Sequence, residues 1–388
     1  MNICIITSSF PSHSDDVIQA PFLIHFIEGL RIRRHQIFIF TQDREGKKEE
    51  ILKDVKVNWF PWMKSKKPLV QLNPVNPWDC FRIANLLYNG KKALVPFLRE
   101  NAIDVCLGLW VLPGGYFANY AYRRIGTPYS VWALGSDIYR YGRNPFLYPM
   151  MKRIICEAKG IFADGFDLSK KVEEWFGRKC FFLATTRTLP PLPPLLKGDR
   201  GGPTSHPYRF LFVGRIEKVK GIDLLLQAMA LLIEEELNVN LTIVGGGRME
   251  AWARDFIKKK GLRERVKWMG HVSEEALGLL YESSDCVVIP SRSESIPLVF
   301  SEALKFDKEL IVTDVGDMGM LGRQYGIAWV TPPEDLLALK ETMKKRVEPK
   351  DYEKIAIHGP DGVCDKREEL KRLFNIETSV DRFLADYL

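Results

Sequence analysis

Short apolar runs recur along the chain, each separated from the next by an amphipathic stretch long enough for a helix. The run from Asn2 to Phe10 leads into a Ser/Pro/Asp-rich loop. Helical spacing then holds from Val17 to about Arg34, and a second apolar run follows from His35 to Thr41. That order is strand, loop, helix, strand. Runs at Ile103 to Trp110, Tyr129 to Leu134, Gly160 to Ala163 and Cys180 to Leu183 continue the alternation, as the buried strands of a parallel sheet do.

The alternation stops at Thr185 to Pro207. This stretch, TTRTLPPLPPLLKGDRGGPTSHP, holds six prolines and three glycines in 23 residues and supports neither a helix nor an interior strand. Beyond it the pattern predicts strands at Arg209 to Val213, Val239 to Val244, Arg265 to Met269, Cys286 to Ile289 and Leu310 to Thr313. The helices between them are predicted at Ile222 to Glu236, Arg248 to Lys260, Glu274 to Ser283 and Val299 to Phe306. From about Asp351 to Leu388 the reading is helical and polar, with Leu370, Leu373, Phe374, Phe383 and Leu384 available for docking. The fold class is therefore α/β: a doubly wound Rossmann-like domain over 1–185, a linker over 186–208, a second such domain over 209–350, and terminal helices over 351–388. Open parallel sheets bind ligands beyond the carboxyl ends of their strands, and two of them predict a cleft.

Length and composition narrow the function classes. The chain has 388 residues, 46% hydrophobic and 27% charged, ordinary values for a globular protein of two or three domains. No uncharged apolar run reaches the ~18 residues of a membrane-spanning helix, and MNICIITSSF lacks the basic stretch that opens a secretory leader; a cytoplasmic protein is expected. The seven cysteines are scattered without a C-x-x-C pair, as small buried hydrophobes of a reducing compartment would be. The six histidines are equally scattered, and neither a metal nor a bound cofactor is expected. Residues 1–190 hold 27 Lys+Arg against 17 Asp+Glu, a balance of +10 within a total of +7, so the remainder carries −3. This excess reads first as solvated lysines and next as attraction to an anionic membrane or acidic substrate. Nucleic acid comes last, and no such partner is expected.

Three segments of the second half carry candidate chemistry. FVGRIEKVKG, Phe212 to Gly221, passes Gly214 and places Arg215 and Lys220 at the end of a strand, a bidentate fork beside a compact point charge. Phosphate oxygens would match that pair, and two solvated surface charges would give the same pattern. IVGGGR, Ile243 to Arg248, lets the backbone at Gly245 approach a ligand ahead of a helix. It is no dinucleotide fingerprint, since Glu250 stands where G-x-G-x-x-G needs its last glycine, and no G-x-x-x-x-G-K-[ST] occurs. In PSRSESIPLVFSEAL, Pro290 to Leu304, a helix begins near Pro297, and the free amides between Ser295 and Val299, those of Ile296 and Leu298 included, can meet an anion. Glu294 precedes that helix and Glu302 lies within it. A retaining glycosidase would need such carboxylates ~5 Å apart, whereas eight helical residues at ~1.5 Å each separate them by about 12 Å. Separate roles, each accepting from ligand hydroxyls, fit better.

With those segments in place, the chain resembles the retaining glycosyltransferases of family four. Phe212 to Gly221 is similar to their F-V-G-R-x-x-x-x-K-G signature, and Glu294 with Glu302 and Ala303 reproduces their E-x(7)-E spacing and Glu-Ala pair. IITSSFPS (Ile5 to Ser12), Gly135 to Asp137 and VKWMGHV (Val266 to Val272) fall where that family has comparable segments. The resemblance implies the GT-B fold, two Rossmann-like doubly wound domains facing a central cleft, with the C-terminal helix returning to the first domain. It implies transfer of a sugar, with retention and without a metal, from a nucleoside diphosphate donor (a UDP- or GDP-sugar) to a glycan or lipid-linked acceptor. Arg215 and Lys220 would hold the diphosphate, assisted by backbone amides from Ile296 to Val299. Glu294 would meet donor-sugar hydroxyls and Glu302 the ribose. Ser9, Phe10 and Asp137 would lie on the acceptor side. Polysaccharide or glycolipid assembly at the inner face of an anionic membrane is the expected setting.

The resemblance has departures. Leu134 stands where the family often has a histidine, the loop Ser12 to Phe22 has no glycine, and ATTRTLPPLPP replaces the usual Asn-Gly-Val-Asp. Two alternatives stay open: a nucleotide-sugar epimerase of the same architecture and a binding protein without catalysis.

Overall fold

A computed structural model of the chain describes residues 1–12, 20–43, 48–63, 69, 72, 76–190, 206–348, 362–385 and 387. The chain divides into two compact units, one formed by Met1–Arg187 with Asn375–Leu388 and the other by Thr188–Phe374. Most of the proline-rich linker, 191–205, lies outside the described residues, as do the loop 13–19 and the segment 349–361.

The first unit is built on strands β1 (Asn2–Ile6), β2 (Gln36–Gln42), β3 (Lys56–Phe60), β4 (Val105–Leu109), β5 (Tyr129–Ala133), β6 (Gly160–Ala163) and β7 (Phe181–Phe182). They pair in parallel in the order β3-β2-β1-β4-β5-β6-β7, with Cys4 opposite both Phe38 and Cys106. Residues of β4, β5 and β6 are buried throughout, which is why these strands read as unbroken apolar runs. Six helices follow the strands: α1 (Pro21–Ile32), α2 (Pro77–Glu100), α3 (Tyr116–Ile125), α4 (Ser136–Tyr141), α5 (Tyr148–Glu157) and α6 (Phe166–Phe176).

The second unit has β8 (Tyr208–Val213), β9 (Val239–Val244), β10 (Val266–Gly270), β11 (Cys286–Ile289), β12 (Glu309–Thr313) and β13 (Ala328–Thr331), parallel in the order β10-β9-β8-β11-β12-β13. Its helices are α7 (Ile222–Glu234), α8 (Glu250–Lys259), α9 (Glu274–Ser283), α10 (Leu298–Lys305), α11 (Met318–Tyr325), α12 (Leu336–Val347) and α13 (Gly362–Leu373). The last helix, α14 (Ile376–Leu384), belongs to the first unit and lies on α1, where Phe26 meets Phe383 at 5.8 Å. Residue 29 is a glycine there because any side chain would fall 2.7 Å from Val380 Cγ2. Of the terminal segment expected from 351 onward, α13 thus stays on α10 and α11 in the second unit, and the chain joins the first unit from Asn375.

Two edge strands, β3 and β13, are absent from the predicted elements. Both are short, and all but one residue of each is partly or fully exposed, so neither shows the continuous apolar run that marks the interior strands. The first strand also ends at Ile6 rather than continuing to Phe10; Thr7 bonds Phe40 O, and the chain then turns, with the Ser9 amide donating to Thr7 Oγ1 at 3.1 Å.

In each unit the strand order reverses once, between β1 and β4 and between β8 and β11. The loops that leave the carboxyl ends of those two strands are neighbours, and they go to opposite faces of the sheet, which opens a crevice between them. This topology brings together segments far apart in sequence.

Candidate functional site

The reversal in the second unit places the loop after β8, with Arg215 and Lys220, beside the loop after β11, with Glu294. A close backbone approach fixes the contact. Gly221 has φ 72°, and a Cβ there would lie 1.9 Å from Pro290 O, so only glycine lets the first loop touch the second. The amide of Arg292 donates to Val219 O at 2.8 Å across the same seam. The result is an ion pair between Lys220 Nζ and Glu294 Oε1, with Ser291 Oγ donating to the same carboxylate oxygen at 3.2 Å. Their side chains are 19% and 13% exposed, open enough to meet a ligand and closed enough that the charges are poorly screened. An ammonium has three donors, so Lys220 keeps capacity for phosphate oxygens while holding Glu294.

Arg215 stands apart from that pair. Its guanidinium is 3.5 Å from Glu217, which lies 3.6 Å from Arg248 on its other side, and both arginines are largely exposed. The loops carrying them are laced by backbone: Gly214 N donates to Val244 O at 3.0 Å and Ile216 N to Gly246 O at 2.9 Å. Gly245, at φ 123°, would place a Cβ 2.1 Å from Gly214 O. Arg248 therefore joins Arg215 as a second cation at this rim. It ends the glycine run, and its value was not legible until the backbone ladder put the two loops side by side.

The third segment behaves as a helix start. Pro297 is the N-cap of α10, in extended conformation and without a side-chain cap. The first-turn amides of Leu298 and Val299 have no partner within the helix by position, and they face the end at which an anion is favoured. Glu302 sits one turn further in and is 1% exposed, with Tyr281 Oη donating to its Oε2 at 2.6 Å. Glu294 and Glu302 are thus in unlike surroundings, one at the mouth and one inside the helix layer.

Arg292 is a residue the sequence reading passed over. Its guanidinium makes a two-pronged pair with Asp223, at 2.6 and 2.9 Å, and also contacts Glu334 and the carbonyl of Lys218. The hydrogen bonds to Asp223 hold it charged more firmly than an ordinary arginine, against the opposing effect of burial. Through these partners it ties α7, the loop after β8 and the loop after β11 together. Its position two residues before Glu294 was the one available signal.

In the first unit, the corresponding residues are more enclosed. Phe10 is 2% exposed and packs against Trp59, with ring centroids 6.2 Å apart. Asp137, 4% exposed, accepts at Oδ2 from the amides of Val111 (2.6 Å) and Leu112 (3.2 Å), while its Oδ1 has no partner among the described residues. Burial pushes its carboxyl up to about 6, with the amides of Leu112 and Val111 pulling the other way. The aspartate therefore anchors the loop that follows β4, and any influence it has on a ligand passes through that loop. Ser9 belongs to the turn after β1, at the same reversal point.

Among the described residues no group of His, Cys, Asp and Glu could hold a metal ion, and no helix is long and apolar enough to cross a membrane.

Two parallel α/β units of this kind are the GT-B fold, and solved structures share it over the whole chain. Sucrose-phosphate synthase from Thermosynechococcus elongatus aligns with a TM-score of 0.73 at 16% identity, covering 100% of this chain and 98% of that one. The Anabaena protein HepE, solved in complex with UDP, aligns with a TM-score of 0.73 at 14% identity over 99% of both chains. In sequence, residues 200–357, within the second unit, match the family model of the glycosyl transferases group 1. An uncharacterized glycosyltransferase of Methanocaldococcus jannaschii is 37% identical over 123 residues, 31% of each chain. The chain spans about a third of the length of the curated relatives it matches, 31–34%.

Proposed function

We propose that the protein is a glycosyltransferase that moves a sugar from a nucleoside diphosphate to a glycan or lipid-linked acceptor, with retention at the anomeric carbon. The observation that carries this reading is the ion pair of Lys220 with Glu294, made where the loops after β8 and β11 meet at the strand-order reversal and just ahead of Pro297, the N-cap of α10, with Arg215 and Arg248 around Glu217 on the loops after β8 and β9. That set matches a sugar diphosphate by parts: cations and amides for the phosphates, a carboxylate for sugar hydroxyls. UDP in the solved HepE complex supports the nucleotide class.

In the reaction, the bond between the anomeric carbon and the diphosphate oxygen breaks with its electron pair going to the diphosphate. The acceptor oxygen bonds to the anomeric carbon, and the acceptor proton goes to a diphosphate oxygen. Negative charge therefore grows on the leaving group in the transition state. Fixed cations aimed at it lower the barrier more than they strengthen ground-state binding. Lys220, held in place by Glu294, supplies that charge without a metal ion. In the family that this chain resembles, attack comes on the face the leaving group departs from, which accounts for retention.

Calorimetric titration with UDP, GDP and ADP tests the reading, followed by turnover of the matching nucleotide sugars with and without acceptors. Binding of one diphosphate and acceptor-dependent release of it is expected, unchanged by a chelator. An isomerised donor formed without acceptor would point instead to an epimerase, binding without turnover to an inert module, and failure of all three nucleotides to bind would end the proposal.

A further inference from the structure

The first unit holds a cluster of cations of its own, in the layer formed by α2, α3 and α5. A cavity of about 360 Å³ is lined by Lys91 from α2, Arg123 and Arg124 from α3, and Arg153 from α5. The rings of Tyr116 and Tyr120 form part of its wall, with the Lys91 ammonium 5.0 and 5.3 Å from their centroids and the Arg124 guanidinium 5.5 Å from the second.

The floor of the cavity is built rather than incidental. Asn119, 2% exposed, donates to Tyr129 Oη at 2.9 Å and to Glu157 Oε2 at 2.7 Å, and Glu157 in turn holds Arg123 at 2.8 Å. That carboxylate is the partner of one cation only. Lys91, Arg124 and Arg153 have no carboxylate partner among the described residues, and the hydroxyls of Tyr116 and Tyr120 have no hydrogen bond there either. Basic residues in the last turn of α3 offset its dipole, which accounts for Arg123 and Arg124. It does not account for Lys91 and Arg153, which reach the same hollow from two other helices. Like charges converging on a concave, aromatic-walled site repel one another unless an anion joins them, and such a site concentrates anions from solution.

We propose that this pocket binds a phosphate group carried on a larger organic body. Three cations without a carboxylate partner outweigh the charge of about −2 on a phosphomonoester, the guanidinium forks match its oxygens, the phenols add neutral donors, and the volume leaves room beyond the phosphate itself. A soluble sugar or glycerol phosphate and the headgroup of an anionic lipid share this chemistry.

Two arms separate them: calorimetry with glycerol 3-phosphate, and co-sedimentation with phosphatidylcholine vesicles with and without phosphatidic acid. Both are run with saturating UDP, which keeps the donor loops of the second unit out of the measurement. We expect binding in at least one arm, weakened by at least about tenfold in the Arg124→Glu/Arg153→Glu double variant and retained in Arg153→Lys, with UDP affinity unchanged. Because both arginines are exposed, the double variant should fold; Arg153→Gln alone serves as the second variant, with a smaller loss. Binding to glycerol 3-phosphate assigns a soluble ligand, and binding confined to phosphatidic acid vesicles assigns a headgroup. No binding in either arm, or binding indifferent to charge reversal, overturns the proposal.

Discussion

The two units share one topology and use it differently. In the second, the loops at the reversal between β8 and β11 present charge: Lys220 and Glu294 are paired but reachable, and Arg215 and Arg248 stand in solvent around Glu217. In the first, the loops at the reversal between β1 and β4 turn inward, with Phe10 packed on Trp59 and Asp137 spent on the amides of Val111 and Leu112. Part of a ligand that never varies, such as a diphosphate, can be met by fixed charge on a rigid backbone. In the first unit the buried Asp137 spends one carboxylate oxygen on the loop after β4 and presents no charge to solvent.

Lys220→Ala should break the comparison most severely. It removes the charge proposed to face the leaving group and takes the cation from Glu294, so turnover should fall by about 10²–10³, the scale on which removal of one preorganised stabilising group acts. Stability should change far less, as urea denaturation would show. Equal turnover in the variant and the parent would mean that the second unit is no more a charge site than the first.

Asp137 offers the matching test in the first unit, read in stability rather than rate. Its carboxyl titrates at about 6 in the folded chain against an ordinary 3.8, so folding favours the protonated form. The sign follows: the contribution is fully present below about pH 4, is lost as pH rises through about 6, and is flat beyond. At about 1.4 kcal/mol per pH unit the full loss is of order 3 kcal/mol. Asp137→Asn keeps an acceptor for Val111 and Leu112 and cannot ionise. Urea midpoints of parent and variant measured from pH 4 to pH 7 should therefore diverge, the parent weakening relative to the variant as pH rises. A constant difference would show that the aspartate is not held in the way its burial implies.

Much of this was legible in the sequence, and for a physical reason. Strands buried on both faces are largely apolar, so β4, β5, β6 and β11 announce themselves, whereas the edge strands β3 and β13 face solvent and carry no such constraint. Lys220 and Glu294 were legible as a motif because strand ends and helix starts mark where loops must lie. The network around Arg292 was not, since its partners Asp223, at the start of α7, and Glu334, after β13, are remote from it in sequence and no local spacing encodes that. The cavity between α2, α3 and α5 was hidden for the same reason: Lys91 and Arg153 are ordinary helical cations until the helices are packed.

A middle-sized effect is expected at Arg292. Its bidentate pair with Asp223 lies at 14% exposure on both sides, and Arg292→Lys would keep the charge while losing the fork. The loop after β11 should then hold Glu294 less firmly against Lys220. Turnover should drop by about tenfold with the donor dissociation constant shifted less, because the missing interaction is one of alignment rather than contact. A change confined to affinity would instead make Arg292 a ligand-binding group.

The smallest effect distinguishes a site tuned to an anion from a chance cluster of surface charge. Glu217 sits between Arg215 and Arg248, at 3.5 and 3.6 Å, and among the described residues it is the carboxylate that pairs with both. If the two arginines serve a diphosphate, Glu217→Gln should release them toward it and remove a repelling charge, tightening UDP binding by about two- to fivefold at low salt. Exposed pairs of this kind are worth about 0.2–1 kcal/mol, which sets that scale. The gain should fade as ionic strength rises past ~0.15 M, where the Debye length falls to ~8 Å. Weaker UDP binding in the variant would show that Glu217 orients the arginines rather than competing for them, and the rim would then be a built lattice of alternating charge, closer in kind to the self-satisfied loops of the first unit.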